Sequence, residues 1–244
     1  MSAIELRGVS FTYEGAAQPA LRGVSLRVSR GEFTALMGRT GCGKTTLLLT
    51  LNGIIPKTIR GEFAGEVRVL GESVAQATFA RMAERIAFVF QDPSDQLFCE
   101  TAREEIAFGL RLRGLSEKEV NSRVKNSLRA VGLAGFEECD PLALSQGQKQ
   151  KLCLATALAT GAPVLALDEP AASLDYENAS RVYEILSRLN STGKTILVVE
   201  HDSDVVARYA DRVVILENGV VVEDAAPSIL KSKRVARYGV KPVQ

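Results

Sequence analysis

Apolar residues first fall near every second position of the chain and later take up helical spacing. Residues 4–13 alternate loosely through Ile4, Leu6, Val9, Phe11 and Tyr13, which predicts a strand. Residues 21–28 alternate in the same way after a turn at 15–19. Arg30-Gly31 then turns into Phe33–Met37, an unbroken apolar run that reads as a buried strand. Residues 45–51 read as the start of a helix. Residues 56–71 are turn-rich around one short strand, 66–70. Residues 86–90 are apolar and β-prone and predict another core strand. It stops at Gln91-Asp92-Pro93, because proline cannot donate to a ladder.

Helices are predicted beyond Pro93. Residues 101–112 carry Ala102, Ile106, Ala107 and Leu110 at helical spacing. Ser116-Glu117-Lys118-Glu119 is a capping box that opens a helix running to about Val131. The stretch 93–158 therefore reads as a helical insert, its cations (Arg111, Arg113, Lys118, Arg123, Lys125, Arg129) forming a solvated face. Strands return at 164–167 and 194–199, helices at 177–189 and 202–209, and a hairpin turns at Asn218-Gly219. This alternation predicts an α/β domain with a mainly parallel sheet and helices on both faces, beside an N-terminal antiparallel β-layer. Residues 1–244 read as one domain. Its core is 1–92 and 159–230, its insert is 93–158, and 231–244 is a basic tail expected to be solvated, with attraction to an anionic membrane surface as the alternative.

Composition narrows the function. A chain of 244 residues can bury a sizeable core and still be a single large α/β domain. Hydrophobic residues at 46% and a net charge of +1 suit a soluble protein and argue against bulk nucleic-acid binding. Cys42, Cys99, Cys139 and Cys153 are scattered without a C-x-x-C pair, which suggests a reducing cytosol rather than a zinc site or a disulfide framework. Residues 1–9 carry Glu5 and Arg7 and no long apolar core, so no signal peptide is expected there. No apolar run reaches the ~18 residues that a membrane span needs, so a membrane role would go through a partner.

The chemistry centres on Gly38-Arg39-Thr40-Gly41-Cys42-Gly43-Lys44-Thr45, with Thr46 behind it. This matches G-x-x-x-x-G-K-[ST] between a strand and a helix. The glycines let backbone N–H groups curl around phosphate oxygens, and the helix N-terminus faces the same anion. Lys44 would reach the outer phosphates, and the Thr45 hydroxyl would ligate Mg²⁺. The strand 164–167 delivers Asp168 where a carboxylate can hold Mg²⁺, and Glu169 can polarise an attacking water. Tyr13 is either a half-buried strand tyrosine or a stacking platform for a nucleobase.

A further motif, Leu144-Ser145-Gln146-Gly147-Gln148, opens a helical stretch. With the phosphate loop and Asp168-Glu169, it makes nearly the whole chain resemble the nucleotide-binding subunits of ABC transporters, whose signature is usually Leu-Ser-Gly-Gly-Gln. The resemblance implies a P-loop NTPase (ABC ATPase) fold, with ATP and Mg²⁺ as ligands. It assigns Tyr13 to adenine stacking, Gln91 to the Mg²⁺ shell and to sensing the membrane partner, and His201, the single histidine, to the γ-phosphate. Ser173-Leu174-Asp175 matches the loop that crosses to a second subunit. Ser145, a good N-cap residue, the Gly147 N–H and the helix N-terminus would form a second anion site. In the family that site meets ATP held by Lys44 of another subunit, in a head-to-tail dimer.

Asp95-Gln96-Leu97-Phe98 after Gln91, then Ala107-Phe108-Gly109, is similar to the ATPases of energy-coupling factor importers, which take up vitamins or transition-metal ions. The resemblance places the chain at the cytoplasmic face of the membrane, paired with itself or a related ATPase, below a coupling protein and a substrate-binding membrane protein. Other ABC importers or exporters, soluble ABC proteins of DNA repair or translation, and P-loop kinases are the alternatives, in that order. Relatives often carry an extra C-terminal segment that this chain would mostly lack. Three expectations follow for single residues. Cys42, near Lys44 and a helix N-terminus, would be a reactive thiolate. Leu97 and Phe98 would form an exposed apolar pair for the membrane partner. Gln146 would stand at the rim of the second anion site, leaving a working signature that acts on the ATP bound to the opposite subunit, with two equal sites in a homodimer or two unequal ones if the chain pairs with a different ATPase.

Overall fold

The computed structural model describes residues 1–172 and 174–243. In chain order its elements are β1 (Ser2–Tyr13), β2 (Leu21–Ser29), β3 (Phe33–Met37), α1 (Lys44–Leu51), α2 (Ile54–Lys57), β4 (Gly61–Val69), β5 (Glu72–Ser73), α3 (Phe79–Ala83) and β6 (Ile86–Val89). After these come α4 (Ala102–Leu112), α5 (Glu117–Ala130), α6 (Gln146–Thr160), β7 (Val164–Asp168), α7 (Tyr176–Ser191), β8 (Thr195–Val199), α8 (Ser203–Tyr209), β9 (Arg212–Glu217) and β10 (Val220–Ala225).

Among the described residues the strands form two sheets. One is antiparallel, in the order β2-β1-β4-β5. The other runs β10-β9-β3-β8-β7-β6, parallel except for the edge strand β10. β3, β7 and β8 are buried at every position because both faces of this sheet are covered. Phe33, Ala35 and Met37 point into the helical side, and Leu36 points into the layer shared with α1. Helices lie on both faces as expected, but unequally: α4–α8 pack on one face, while the other carries α1 and the antiparallel sheet. Seven of the eight residues of α1 are buried, its leucines in the layer between the two sheets, so the helix has no solvent-facing polar side.

The spacing Leu6 to Val9 breaks the alternation of β1 and would turn Val9 to solvent. The register shifts there against both neighbouring strands, and Gly8 takes φ +58°, so a bulge returns Val9 to the core. The short strand expected at 66–70 is instead the nine-residue β4. Its first half pairs with the end of β1, Glu62 opposite Thr12 and Ala64 opposite Ser10, without burying a face, so no apolar pattern marks it.

Two expectations about charge also change. Arg113 and Arg123 are not simply solvated: they donate to the Thr160 carbonyl at 2.6 and 3.3 Å, and Arg123 to that of Ala159 at 3.1 Å. They satisfy the last carbonyls of α6, where the helix dipole favours cations. The basic tail folds back on the core. Val235, Tyr238 and Val240 are buried, and Arg234 and Arg237 face Glu223. The apolar residues alternate with cations too irregularly to show in a charge count.

Candidate functional site

In the parallel sheet, β3 connects onward to the far strand β6, β7 and β8 return toward it, and β9 lies on its other side. Such a reversal of strand order opens a crevice at the carboxyl ends of the strands. The loop after β3 lies there. Gly38 has φ +136°, and a Cβ on it would stand 2.2 Å from the Leu216 carbonyl oxygen. Gly43 has φ +109° and would place a Cβ 2.5 Å from the Ala20 oxygen. Both positions therefore require glycine. The Asn218-Gly219 turn supports the loop from behind, its Gly219 N–H donating to the Cys42 carbonyl at 2.9 Å. Gly43 caps α1 without a side chain, leaving first-turn N–H groups free for an anion.

The loop borders a cleft of about 470 Å³. Thr40, Gly41, Gly43, Lys44, Thr45 and Thr46 line it, and Tyr13, Gln91, Glu169 and His201 reach it from four other segments. Lys44 is buried, and its ammonium donates to the carbonyls of Gly38 and Arg39 at 2.9 and 3.0 Å. Arg39 itself is exposed and donates to the Arg237 carbonyl at 2.9 Å, tying the tail to the loop. Tyr13 meets the Thr46 hydroxyl at 2.9 Å and packs edge-on against Phe11, which fixes its ring at the cleft mouth.

Glu169 is the hub. Its Oε2 accepts from Gln91 Nε2 at 2.9 Å, and its Oε1 lies 2.8 Å from His201 Nε2. Its φ is +48°, a left-handed conformation that a glutamate rarely adopts, and such strain concentrates at functional sites. Asp168 beside it is 2% exposed, and its Oδ1 has no partner. Burial pushes its carboxyl above the usual aspartate range, against the opposing pull of the Thr45 hydroxyl. A buried carboxylate oxygen without a donor, next to a threonine hydroxyl, fits a hard cation. Among the described residues no group of three His, Cys, Asp or Glu could hold a metal alone, so phosphate and water would complete the shell.

Leu144, Ser145, Gln146, Gly147, Gln148 and Asp175 lie outside this cleft. Leu144 is buried and anchors the turn, while Ser145 and Gln146 are exposed. Ser145 Oγ accepts the Gln148 N–H at 3.3 Å and Gln148 Oε1 accepts the Ser145 N–H at 2.9 Å, a capping box at the start of α6. A Cβ on Gly147 would lie 2.9 Å from the end of the Leu174 side chain, which would have to shift to admit it. Asp175 caps α7, and the N–H and side-chain amide of Asn178 hold its carboxyl below the usual range. Ser173 lies outside the described residues. Asp92, in the Gln91 turn, has its carboxyl held low chiefly by the Ser94 N–H and hydroxyl, with the Gln146 side chain a smaller pull in the same direction, so Gln146 lies near that turn, a proximity that the sequence did not signal.

Two expectations are corrected. Cys42 is 5% exposed, with its sulfur against Gly38, and burial raises its thiol pKa despite Lys44 nearby. Maleimide at pH 7 is therefore expected to leave Cys42 unmodified in the folded protein and ATPase activity intact, read by peptide mass spectrometry beside the rate; labelling at the speed of a free thiol would refute this. Leu97 is 8% exposed and part of the insert core, so it is not half of a surface pair. Phe98, 68% exposed, packs edge-on against Phe108, 47% exposed, at 5.2 Å.

Comparison with known proteins places these features in context. A family model described as ABC transporter matches residues 21–172, and a shorter match, to an AAA domain model, spans 138–207. The energy-coupling factor transporter ATP-binding protein EcfA of Methanothermobacter thermautotrophicus is 40% identical over 92% of this chain and 71% of its own. A provisionally named ABC transporter ATP-binding protein of Methanosarcina acetivorans is also 40% identical, but the chain spans only 35% of its length. Among solved structures, CbiO1 of Clostridium perfringens, part of the ABC transporter complex CbiONQ, aligns with TM-score 0.81 and 30% identity over 97% of this chain and 93% of that one. A dimeric ATP-binding cassette in a post-hydrolysis state with ADP and Pi aligns with TM-score 0.81 and 29% identity, over 92% and 98%.

Proposed function

The chain belongs to the ABC transporter ATP-binding family, and from that membership we propose that it is the ATP-hydrolysing subunit of an energy-coupling factor importer. The observation that carries hydrolysis is the meeting of Lys44, Glu169, Gln91 and His201 in one cleft, with Asp168 buried behind it beside Thr45. Bound Mg²⁺ would neutralise phosphate charge there. Asp168 Oδ1 and the Thr45 hydroxyl would hold it, and Lys44 would exchange its loop carbonyls for phosphate oxygens. Glu169 would accept a proton from the attacking water. In the present arrangement Gln91 and His201 each engage one of its oxygens, which orients the carboxylate and leaves lone pairs free for the water. A second ATPase, identical or related, would present Ser145 and Gly147 to the nucleotide from across a dimer.

The importer class rests on the exposed Phe98–Phe108 pair and on likeness to EcfA and CbiO1. Between α3, β6 and α6 runs an apolar groove of about 310 Å³, lined by Phe79, Met82, Phe88 and Phe90. With the phenylalanine pair it suits a short helix of a membrane coupling protein. No described helix is long and apolar enough to cross a membrane, which fits a peripheral subunit on the cytoplasmic side. A vitamin or transition-metal ion would be the cargo. Another ABC importer or exporter is the second reading, favoured by the dimeric cassette likeness. Replacing Phe98 and Phe108 together by Ser is expected to abolish co-purification with a coupling-type membrane protein in mild detergent, while the isolated chain keeps its basal ATPase. Undiminished capture of that protein would refute this docking surface.

A further inference from the structure

Glu200 follows β8 and immediately precedes His201. Its Oε1 accepts the backbone N–H of His201 at 2.6 Å and that of Asp202 at 2.9 Å. Its Oε2 accepts the hydroxyl of Tyr183, from α7. Tyr183 is 2% exposed, and its ring stacks on that of Tyr209, from α8, at 5.7 Å and 22°. Burial, and after it the Glu200 charge, pushes the Tyr183 phenol well above its usual range, so it stays a neutral donor. One half-buried carboxylate thus joins the end of β8, the entry to α8 and the middle of α7. A carboxylate partly drawn from water is costly unless its oxygens find donors, and an apolar residue would pack there without that cost. Two of its donors are the backbone N–H groups on either side of the His201 side chain.

We propose that Glu200, fastened by Tyr183, is the positioning residue that sets the His201 imidazole against Glu169. The inference rests on the reading of Glu169 and His201 as parts of an ATP site, but its first test does not need hydrolysis. His201 is the single histidine, so its ring signals in a proton–nitrogen NMR spectrum are unambiguous when the protein carries a tag without histidine. In Glu200→Ala these signals are expected to move and broaden, and in Glu200→Gln, which keeps an acceptor oxygen, to return near their parent positions. In parallel, kcat should fall about tenfold or more in Glu200→Ala with KM for ATP within about twofold, since a small misplacement of a catalytic group acts on the chemical step. Parent-like ring signals in Glu200→Ala, or an unchanged kcat in an active parent, would each overturn the proposal. If Glu200→Ala does not fold, Tyr183→Phe, which keeps the stacked ring, is judged by the same two criteria. A parent that never hydrolyses ATP refutes the functional reading instead, and the ring signals alone then decide the positioning role.

Discussion

Glu169→Gln is expected to bind MgATP as the parent does and to hydrolyse it at least about a hundredfold more slowly, the scale of a lost general base. That factor corresponds to about 2.7 kcal/mol of transition-state stabilisation. The substitution conserves size, so the left-handed backbone at φ +48° is as strained with Gln as with Glu, and a change of fold is not the cause. The change falls on the oxygens. Glu169 offers two acceptors, one to Gln91 Nε2 and one to His201 Nε2. An amide offers one acceptor and one donor, and neither can take a proton from water. The His201 contact can survive with the ring nitrogen as acceptor, so the cleft stays assembled around ATP. The unhydrolysed nucleotide should then hold two subunits together, and ATP-dependent dimers should accumulate. Phosphate release and light scattering with MgATP read both effects. Turnover within about threefold of the parent would remove Glu169 from the role of base.

Most of this site was legible because its residues occur in contiguous blocks with strong local geometry. The phosphate loop shows itself through glycines that nothing else could replace, Gly38 and Gly43. Asp168-Glu169 shows itself because an unbroken apolar run, 164–167, leads directly into two adjacent carboxylates. Position in the cleft was harder to read. The pairing of Gln91 and His201 with the same glutamate joins segments 78 and 32 residues away, and no local pattern encodes it. Proximity to Lys44 suggested a thiolate at Cys42, but desolvation by the packed loop outweighs that charge. Leu97 and Phe98 are adjacent, yet one enters the core and the other faces solvent, because the turn is held by Glu105, which accepts the N–H groups of Phe98 and Cys99 at 2.9 and 2.8 Å. A buried glutamate organising a turn leaves no trace in hydropathy. The tail was misjudged for a similar reason: Val235, Tyr238 and Val240 are three apolar residues among cations, and only the surface they cover shows that they are core.

Lys44→Ala should act earlier than Glu169→Gln, on binding itself. Lys44 is 6% exposed and its ammonium is already pre-placed by the Gly38 and Arg39 carbonyls, so it reaches phosphate oxygens with little loss of side-chain freedom. A hydrogen bond to a charged group contributes about 1.5–3 kcal/mol, which predicts a Kd for ATP raised about tenfold to a hundredfold. A second effect adds to this. Without the ammonium the two loop carbonyls lose their donor, and the loop loses the tie that curls its N–H groups inward. The measured loss should therefore lie toward the upper end of that range, with only a small change in melting temperature, because the loop is braced independently by the Gly219 N–H on Cys42. Lys44→Arg should not restore affinity, since the bulkier planar guanidinium has no room among Gly38, Arg39 and Cys42. Calorimetric titration with MgATP separates the cases. An affinity within about twofold of the parent in Lys44→Ala would mean that the loop backbone alone holds the phosphates, and full binding by Lys44→Arg would mean that charge, not fit, is what Lys44 supplies.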